Sequence, residues 1–472
     1  MSTQEKTGSQ MPKPSSGKYA NQIYGDFCMA SAKQLNLVPI DMGYGDPASD
    51  KFIPKELLRH FLDQLHNKNA GAYPDVKGDI NLINKFKEFI KNDEGLSYDY
   101  DVAVVSGGGR SAITNILSIF LKPKDIVLIP YPAWSGYKSL ARFVDAIIYP
   151  ITTTMNKRFI PSVADIESAI AESKKSHPNS NVKLMILNTP HNPTGSVYSS
   201  DSIREILQIL HKHGIACLAD YTYRAIRDKG TPMQSVHKIA EDIEFEEQLP
   251  KGTFTDNIVA MQTVGKVSLT PGFRIGYVAT TNSKVIEAFC TKKQAIDFSG
   301  ILFIQKAFSE YLLTQSQANE FEQTINLFDK RRSTFIDQIS KYGYAPDKHN
   351  IIINKSGFYI SFEIPRQYHK KYPLEQFHQL VQKYPFIEKC INLDEYKGWF
   401  AERGYIPASE IFVLDIISKT AINLLPGYLF CSVNKQFPNE YENWVRVALI
   451  QDESSINEAF KRIENHKDLL KW

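Results

Sequence analysis

The chain is poor in cysteine. Five thiols in 472 residues, at positions 28, 217, 290, 390 and 431, form no Cys-x-x-Cys pair. An odd, scattered set argues against a disulfide scaffold or a zinc ribbon and fits a reducing compartment, so no metal site is expected. Cys217 lies inside the apolar run IACLAD and reads as packing rather than chemistry. Long hydrophobic runs are also missing, and no window approaches the ~18 uninterrupted apolar residues of a spanning helix. Neither sign of charge dominates: 55 Lys+Arg against 52 Asp+Glu leave +3. That surplus is too small to point to nucleic acid or an acidic membrane. Repeats and low-complexity tracts are absent, and 43% hydrophobic content excludes disorder, collagen and coiled coil. The first residues, MSTQEKTGSQMPKPSSGKYA, are polar and lack the apolar stretch of a secretory signal. A loose tail over 1–20 and a soluble, cytoplasmic protein are expected.

What is present is enough apolar material for a large core. At ~150 residues per domain the length suggests about three domains, or two large ones. From about Asp101 to Thr280, short β-branched runs (DVAVVS, DIVLIP, AIIYPI, NVKLMILN, IACLAD, NIVAMQT, RIGYVAT) alternate with helical patterns such as RSAITNILSIFL and DSIREILQILHKHG. The second of these helices should end at Gly214, as a C-cap would. Continuous apolar strands between amphipathic helices predict an α/β fold with a mostly parallel central sheet covered on both faces. After Ser283 helices dominate to about Lys341, and then IIIN, GFYISFEI and VRVALI mark strands of a smaller α+β domain. The pattern gives two domains.

In an open α/β sheet, ligands collect at the carboxyl ends of the strands. Five strands end in small, polar or reactive residues: SGGGR (106–110), PYPAW (130–134), NTPHNPTG (188–195), ADYTY (219–223) and TVGK (263–266). That predicts one site. Gly107, Gly108 and Gly109 stand between a strand and a helix, where backbone N–H groups and the helix dipole favour a phosphate. The spacing Gly107-x-Gly109-x-x-Ala112 also fits a loose dinucleotide fingerprint. The acidic residue that a nicotinamide nucleotide needs on the next strand is replaced by Pro130-Tyr131-Pro132, so the phosphate is expected and the nucleotide is not. Asn192-Pro193-Thr194-Gly195 could be a plain turn. Asp220 closes an apolar strand and should meet a cation or a strong donor, whether structural or functional. Lys266, just beyond an apolar strand and among small or hydroxylated residues, suits a pocket better than a solvated surface.

Together these residues resemble the class I/II aminotransferases of pyridoxal-phosphate fold type I, the aspartate aminotransferase-like group. The resemblance runs from about Tyr73 to Arg446. It rests on NPTG, on Asp220-x-x-Tyr223, on Lys266 with Arg274 eight residues later, and on a late PG…RVAL block. It implies pyridoxal phosphate as cofactor, with Lys266 forming the Schiff base and then carrying the proton between Cα and the cofactor. Asp220 is implied to keep the pyridine nitrogen protonated, and Asn192 and Tyr223 to hydrogen-bond the ring's phenolic oxygen. Trp134 would stack on the ring. Gly108, Gly109, Arg110, Thr263 and Arg274 would hold the phosphate. Tyr73 resembles the tyrosine that reaches the phosphate of a neighbouring subunit, which implies a homodimer. Arg446 matches the arginine that clamps the substrate α-carboxylate, with Asn192 beside it, although its strand pattern alone would equally fit an edge surface charge.

The implied domains are a tail over 1–20, a segment over 21–60 packing on the small domain, a large cofactor-binding domain over 61–320 and a small domain over 321–472. The implied reaction moves the amino group of an L-amino acid to a 2-oxo acid through a pyridoxamine intermediate. A lyase, decarboxylase or cyclase of the same fold is the alternative. A non-catalytic, cofactor-binding regulator ranks lower, since no basic recognition helix precedes Tyr73.

Several positions depart from the family pattern. Thr263 and Gly265 stand where Ser is usual, and Arg110 where a neutral residue is common. The substrate-lining stretch GYGDPASD (43–50) carries its glycine at Gly45 and its proline at 47. The region 368–419 is long. Tyr44, Trp134, Trp399 and Phe400 are expected near the entrance, where they hint at apolar or aromatic substrates.

Overall fold

The computed structural model describes residues 18–46, 53–227, 235–432 and 441–471. Residues 1–17 of the expected tail, and Pro47, lie outside these ranges. The apolar runs form seven strands of one sheet: β1 (Asp101–Val105), β2 (Ile126–Tyr131), β3 (Ile147–Thr152), β4 (Val182–Asn188), β5 (Ala216–Asp220), β6 (Ile258–Thr263) and β7 (Gly276–Thr280). Their order is β1-β7-β6-β5-β4-β2-β3, and all are mutually parallel except β7, which runs against both neighbours.

Side chains alternate between two apolar layers, as the pleat requires. Ile126, Leu128, Met185, Leu187 and Cys217 pack with Ile203, Ile206 and Leu210 on one face. Val127, Ile129, Leu184, Ile186 and Leu218 pack with Ile113, Ile116 and Leu117 on the other. Cys217 is a core residue whose thiol burial pushes up to about 12. The helix over Ser200–His213 starts with Ser199 accepting from the Ser202 N–H and ends at Gly214 with φ +64°, the left-handed cap its sequence announces.

A second, antiparallel sheet comprises β8 (Ile351–Ile352), β9 (Tyr359–Glu363), β10 (Leu425–Pro426) and β11 (Trp444–Ala448), in the order β10-β11-β9-β8. Arg446 therefore sits on an interior strand, opposite Ser361 and Leu425, and is not an edge charge. The helices that matter for the cleft are α1 (Ala20–Leu35), α2 (Ile80–Glu94), α3 (Gly108–Phe120), α4 (Leu393–Ala401) and α5 (Ala408–Thr420). Among the described residues, no helix is long and apolar enough to cross a membrane, and no cluster of His, Cys or carboxylates could hold a metal ion.

The long region 368–419 contributes to the core that receives α1. Phe27 of α1 packs on Phe386 and Tyr396 at 5.6 and 5.8 Å, and Ser31 Oγ donates to the Ile417 carbonyl at 2.7 Å. Trp399 and Phe400 belong here and not at the entrance, because α4 turns both towards neighbouring aromatics: Trp399 onto Tyr24, Phe400 onto Tyr428. At the centre lies Glu410 of α5, buried and hydrogen-bonded by the hydroxyls of Tyr24 and Tyr396. Burial pushes its carboxyl up to about 7, against the tyrosine hydrogen bonds that pull it down. The folded state thus prefers the protonated acid. The stability this group contributes is full below an unfolded value near 4.5 and is lost as pH rises through about 7. Glu410→Gln, which is neutral throughout, should therefore gain thermal stability relative to the parent as pH climbs through that window. Parallel melting curves against pH would refute this assignment.

Candidate active site

The loops at the carboxyl ends of β1, β2, β4, β5 and β6 open into one cleft of about 500 Å³, a volume suited to a small-molecule ligand. The second sheet supplies its other wall through Tyr359, Leu425 and Arg446.

After β1 the chain turns directly into α3, whose first N–H groups have no intrahelical partner. Gly108 takes φ +68°, and its N–H donates to the Arg274 carbonyl at 2.9 Å. A Cβ at Gly108 would lie 2.4 Å from the Arg274 guanidinium, so glycine is required for this approach. Arg274 in turn donates through Nη2 to the Gly107 carbonyl at 3.1 Å. Gly109 faces Met261 and Thr263 of β6. The Arg110 guanidinium lies 4.8 Å from the Trp134 ring and 5.7 Å from that of Tyr19, at the start of α1. Here a helix N-terminus, two arginines and a glycine cradle converge, an arrangement that receives an anion.

Asp220, at the end of β5, is buried. Its carboxylate accepts from Tyr137 Oη at 2.5 Å, from Thr222 Oγ1 at 2.6 Å and from the Thr222 N–H at 3.0 Å. The strong donor expected for it is present as these three groups. Among the described residues, no cation pairs with it. Burial raises its pKa, opposed by the donors of Thr222 and Tyr137.

Lys266 follows β6 and is partly buried, its Nζ donating to the Gly45 carbonyl at 2.9 Å. Desolvation, together with Arg274 and Arg446, pushes its ammonium down to about 8, although Asp46 acts the other way. Arg446 is buried between the rings of Tyr359 and Phe430, at 4.5 and 4.7 Å. It donates to Asn192 Oδ1 at 3.0 Å and to the Gly43 carbonyl at 2.6 Å, and among the described residues its Nε has no acceptor. Asn192 Nδ2 donates to Tyr223 Oη at 3.1 Å, and the Tyr223 and Tyr359 hydroxyls lie 3.3 Å apart.

The 188–195 loop is built to meet the second sheet. Asn188 Oδ1 accepts from the Asn192 N–H at 2.8 Å, and the Gly195 N–H donates to the His191 carbonyl at 2.8 Å. Gly195 has φ +74°, and a Cβ there would stand 2.3 Å from the Tyr359 carbonyl. NPTG is thus a turn and also a docking surface.

Of the residues singled out from sequence, Gly45, Gly108, Gly109, Arg110, Trp134, Asn192, Asp220, Tyr223, Thr263, Lys266, Arg274 and Arg446 all line this cleft. Tyr73 does not. It is 85% exposed and meets Phe298 edge to face at 5.3 Å. That pair stands beside the β1 loop, because Asp297 accepts from Ser106 and Ser111 at 3.4 and 3.2 Å. Sequence reasoning missed Tyr137 and Tyr359. The first lies three residues after Trp134 in PYPAWSGY, a signal that was available; the second alternates among apolar residues in GFYISFEI and carries none.

The sequence profile of aminotransferase class I and II matches residues 38–463. The chain belongs to the class I and II aminotransferases. It is an enzyme of amino-group transfer, in a family that works with pyridoxal phosphate. It is similar to the LL-diaminopimelate aminotransferase of Halothermothrix orenii, 24% identical over 93% of this chain and 94% of that protein. The L-glutamine–4-(methylsulfanyl)-2-oxobutanoate aminotransferase of Bacillus subtilis is 25% identical over 72% of this chain and 78% of its own length. Among solved structures, the fold resembles Bna3p, a putative kynurenine aminotransferase from Saccharomyces cerevisiae, with a TM-score of 0.75 at 16% identity over 96% of both chains. The aspartate aminotransferase of Rhizobium meliloti gives 0.73 at 19% identity, covering 98% of this chain and all of that one.

The docking role of this aminotransferase's Gly195 can be separated from its backbone conformation. Gly214 has a similar φ of +64° but open space around its Cβ position. Gly214→Ala should cost about 1–2 kcal/mol for the left-handed conformation alone, and Gly195→Ala clearly more in urea unfolding. Equal losses would contradict the contact with Tyr359.

Proposed function

We propose that the cleft holds pyridoxal phosphate on Lys266 and uses it to move the amino group of an L-amino acid to a 2-oxo acid. One juxtaposition carries this reading. Among the described residues, a carboxylate without a cation (Asp220), a guanidinium without a carboxylate (Arg446) and a lysine of lowered pKa (Lys266) share one cleft. The residues fit the cofactor group by group. Gly108, Gly109 and Arg274 would take the phosphate, with Thr263 and Arg110 at its rim. Asn192 and Tyr223 would take the phenolic oxygen, Trp134 a ring face and Asp220 the ring nitrogen.

When bound, pyridoxal phosphate would supply an electron sink for cleavage of the substrate Cα–H bond. Asp220 would serve that chemistry by its charge, since a cationic ring nitrogen beside it would favour the ionised form that burial disfavours. Lys266, with a pKa of about 8, has an uncharged fraction at neutral pH and can act as nucleophile. As a free amine, Lys266 would be the base that moves the proton at Cα. Arg446 offers a planar fork to the substrate α-carboxylate, and its two flanking rings fix its plane. The named relatives differ in their substrates; what an arginine here would read is the carboxylate that amino acids share.

Two structural readings go with this. The seven-stranded sheet supports a large cofactor-binding domain over 61–320 and the second sheet a small one over 321–472; of the 21–60 segment, α1 packs on the small domain through Tyr24, Phe27 and Ser31, whereas Leu57 packs with Phe86 and Tyr277 of the large one. A homodimer in which Tyr73 serves the partner's phosphate is supported by the exposed apolar surface of Tyr73, Ile296, Phe298 and Ile301.

Borohydride treatment of the loaded protein should fix the cofactor on the peptide containing Lys266. Lys266→Ala should abolish turnover while the fold survives; retained turnover would sink the proposal. Asp220→Ala should lower kcat by roughly 10²-fold or more with a smaller change in substrate binding, since its charge matters most as electrons reach the ring. Equal losses in both would contradict that role.

A further inference from the structure

Four residues beyond the end of β5 lies a charged cluster outside the cleft. Asp93 is the penultimate residue of α2, whose C-terminus is capped by Gly95 at φ +67°. Carboxylates at the negative end of a helix dipole are unfavourable, and α2 ends with two, Asp93 and Glu94. Two arginines from the loop after β5 answer them. Arg224 Nε donates to Asp93 Oδ2 at 3.1 Å, while Arg227 reaches both Asp93 oxygens, through Nη2 at 2.6 Å and Nη1 at 3.4 Å. Arg224 is 1% exposed and its guanidinium lies 5.1 Å from the Tyr221 ring. Arg227 Nη1 also donates to the Arg224 carbonyl at 3.2 Å.

The loop that carries these arginines carries Tyr223. It is a run of tight turns, with the Arg224 N–H donating to the Tyr221 carbonyl at 2.9 Å and the Ile226 N–H to the Tyr223 carbonyl at 3.1 Å. Its far side is tied to the second sheet. The Gly357 N–H donates to the Ile226 carbonyl at 2.7 Å, and Arg227 bridges Ser356. The next residues, Phe358 and Tyr359, meet the Tyr223 ring edge to face at 5.4 and 5.3 Å. The Tyr223 hydroxyl is therefore set from two sides, by the ring contacts and by the anchor on α2.

A partly buried ion pair of this kind contributes little net stability compared with an apolar replacement, because desolvation offsets much of the attraction. Its contribution here is directional. A guanidinium fork on a carboxylate fixes both distance and plane. We propose that Asp93, Arg224 and Arg227 are positioning residues that hold the Tyr223 hydroxyl at its catalytic setting. This rests on the reading of Tyr223 as the donor to the cofactor's phenolic oxygen.

The test uses the holoenzyme and a readout besides turnover, the pH midpoint of the bound cofactor's absorbance without substrate. A hydroxyl donating to the phenolate stabilises the deprotonated chromophore, so its loss raises that midpoint. Tyr223→Phe should raise it. Asp93→Ala should raise it by a smaller amount and lower kcat roughly 10- to 100-fold, the cost of a misplaced group, with KM changed less. In the Tyr223→Phe background, Asp93→Ala should add no shift, since the two changes act through one hydroxyl. Asp93→Asn keeps the volume and should shift in the same direction, which guards against a variant that fails to fold. Asp93 variants that leave the midpoint in place while Tyr223→Phe moves it would overturn the clamp alone. An undiminished Asp93 effect without the Tyr223 hydroxyl would do the same. If Tyr223→Phe itself moves nothing, the reading of Tyr223 falls and the clamp with it.

Discussion

The cleft depends on how the loop after β4 docks against the second sheet. Gly195 presses on the backbone of Tyr359, and Arg446 reaches back from β11 to Asn192 at 3.0 Å. With that contact in place, β11 can lend a buried guanidinium to a site otherwise assembled at the edge of the seven-stranded sheet. Without it, Asn192 would lose the partner that orients its amide towards Tyr223. A parallel sheet supplies positions at its carboxyl edge, but it cannot close a pocket by itself. The second sheet closes it, and the glycine lets the two come close enough.

The electrostatics follow from that closure. Elsewhere some buried charges are paired, Arg403 with Glu442 at 2.6 Å and Arg224 with Asp93, while others rest on neutral partners, Glu241 on two backbone N–H groups and the Tyr100 hydroxyl and Lys293 on the Val76 carbonyl. In the cleft two opposite charges are both held in the second way. Asp220 is held by hydroxyls and one N–H, and Arg446 by an amide and a carbonyl, with Asp41 acting only at longer range. Neutral donors and acceptors orient a charge without neutralising it, so each group keeps its capacity to bind an opposite charge from outside. Lys266 loses affinity for its proton because burial, with Arg274 and Arg446 nearby, outweighs the pull of Asp46.

Much of this was legible in the sequence because strand ends announce themselves. The glycines at 107–109, Asp220 after an apolar run and Lys266 after another lie where the sheet rule puts ligands, and the cleft unites them. The mainly parallel order followed from continuous apolar strands, and the Gly214 cap from its neighbours. Residues whose role depends on tertiary approach were not legible. Tyr359 reads as one more strand aromatic until the 188–195 loop is laid on it. Trp399 and Phe400 look like entrance aromatics in a linear segment, yet the turn of α4 faces them inward. The charges of Asp93 and Arg227 are ordinary surface residues in one dimension, and only folding brings 93 beside 227.

The hydroxyl cage around Asp220 has a consequence beyond chemistry. A carboxylate kept from water without a counter-ion makes the empty protein a less stable fold than the filled one. Any cation delivered to that carboxylate returns part of the cost, and by mass action the folded population grows with the free concentration of whatever delivers it. A shortage of such a ligand would then lower the amount of folded chain as well as the fraction occupied.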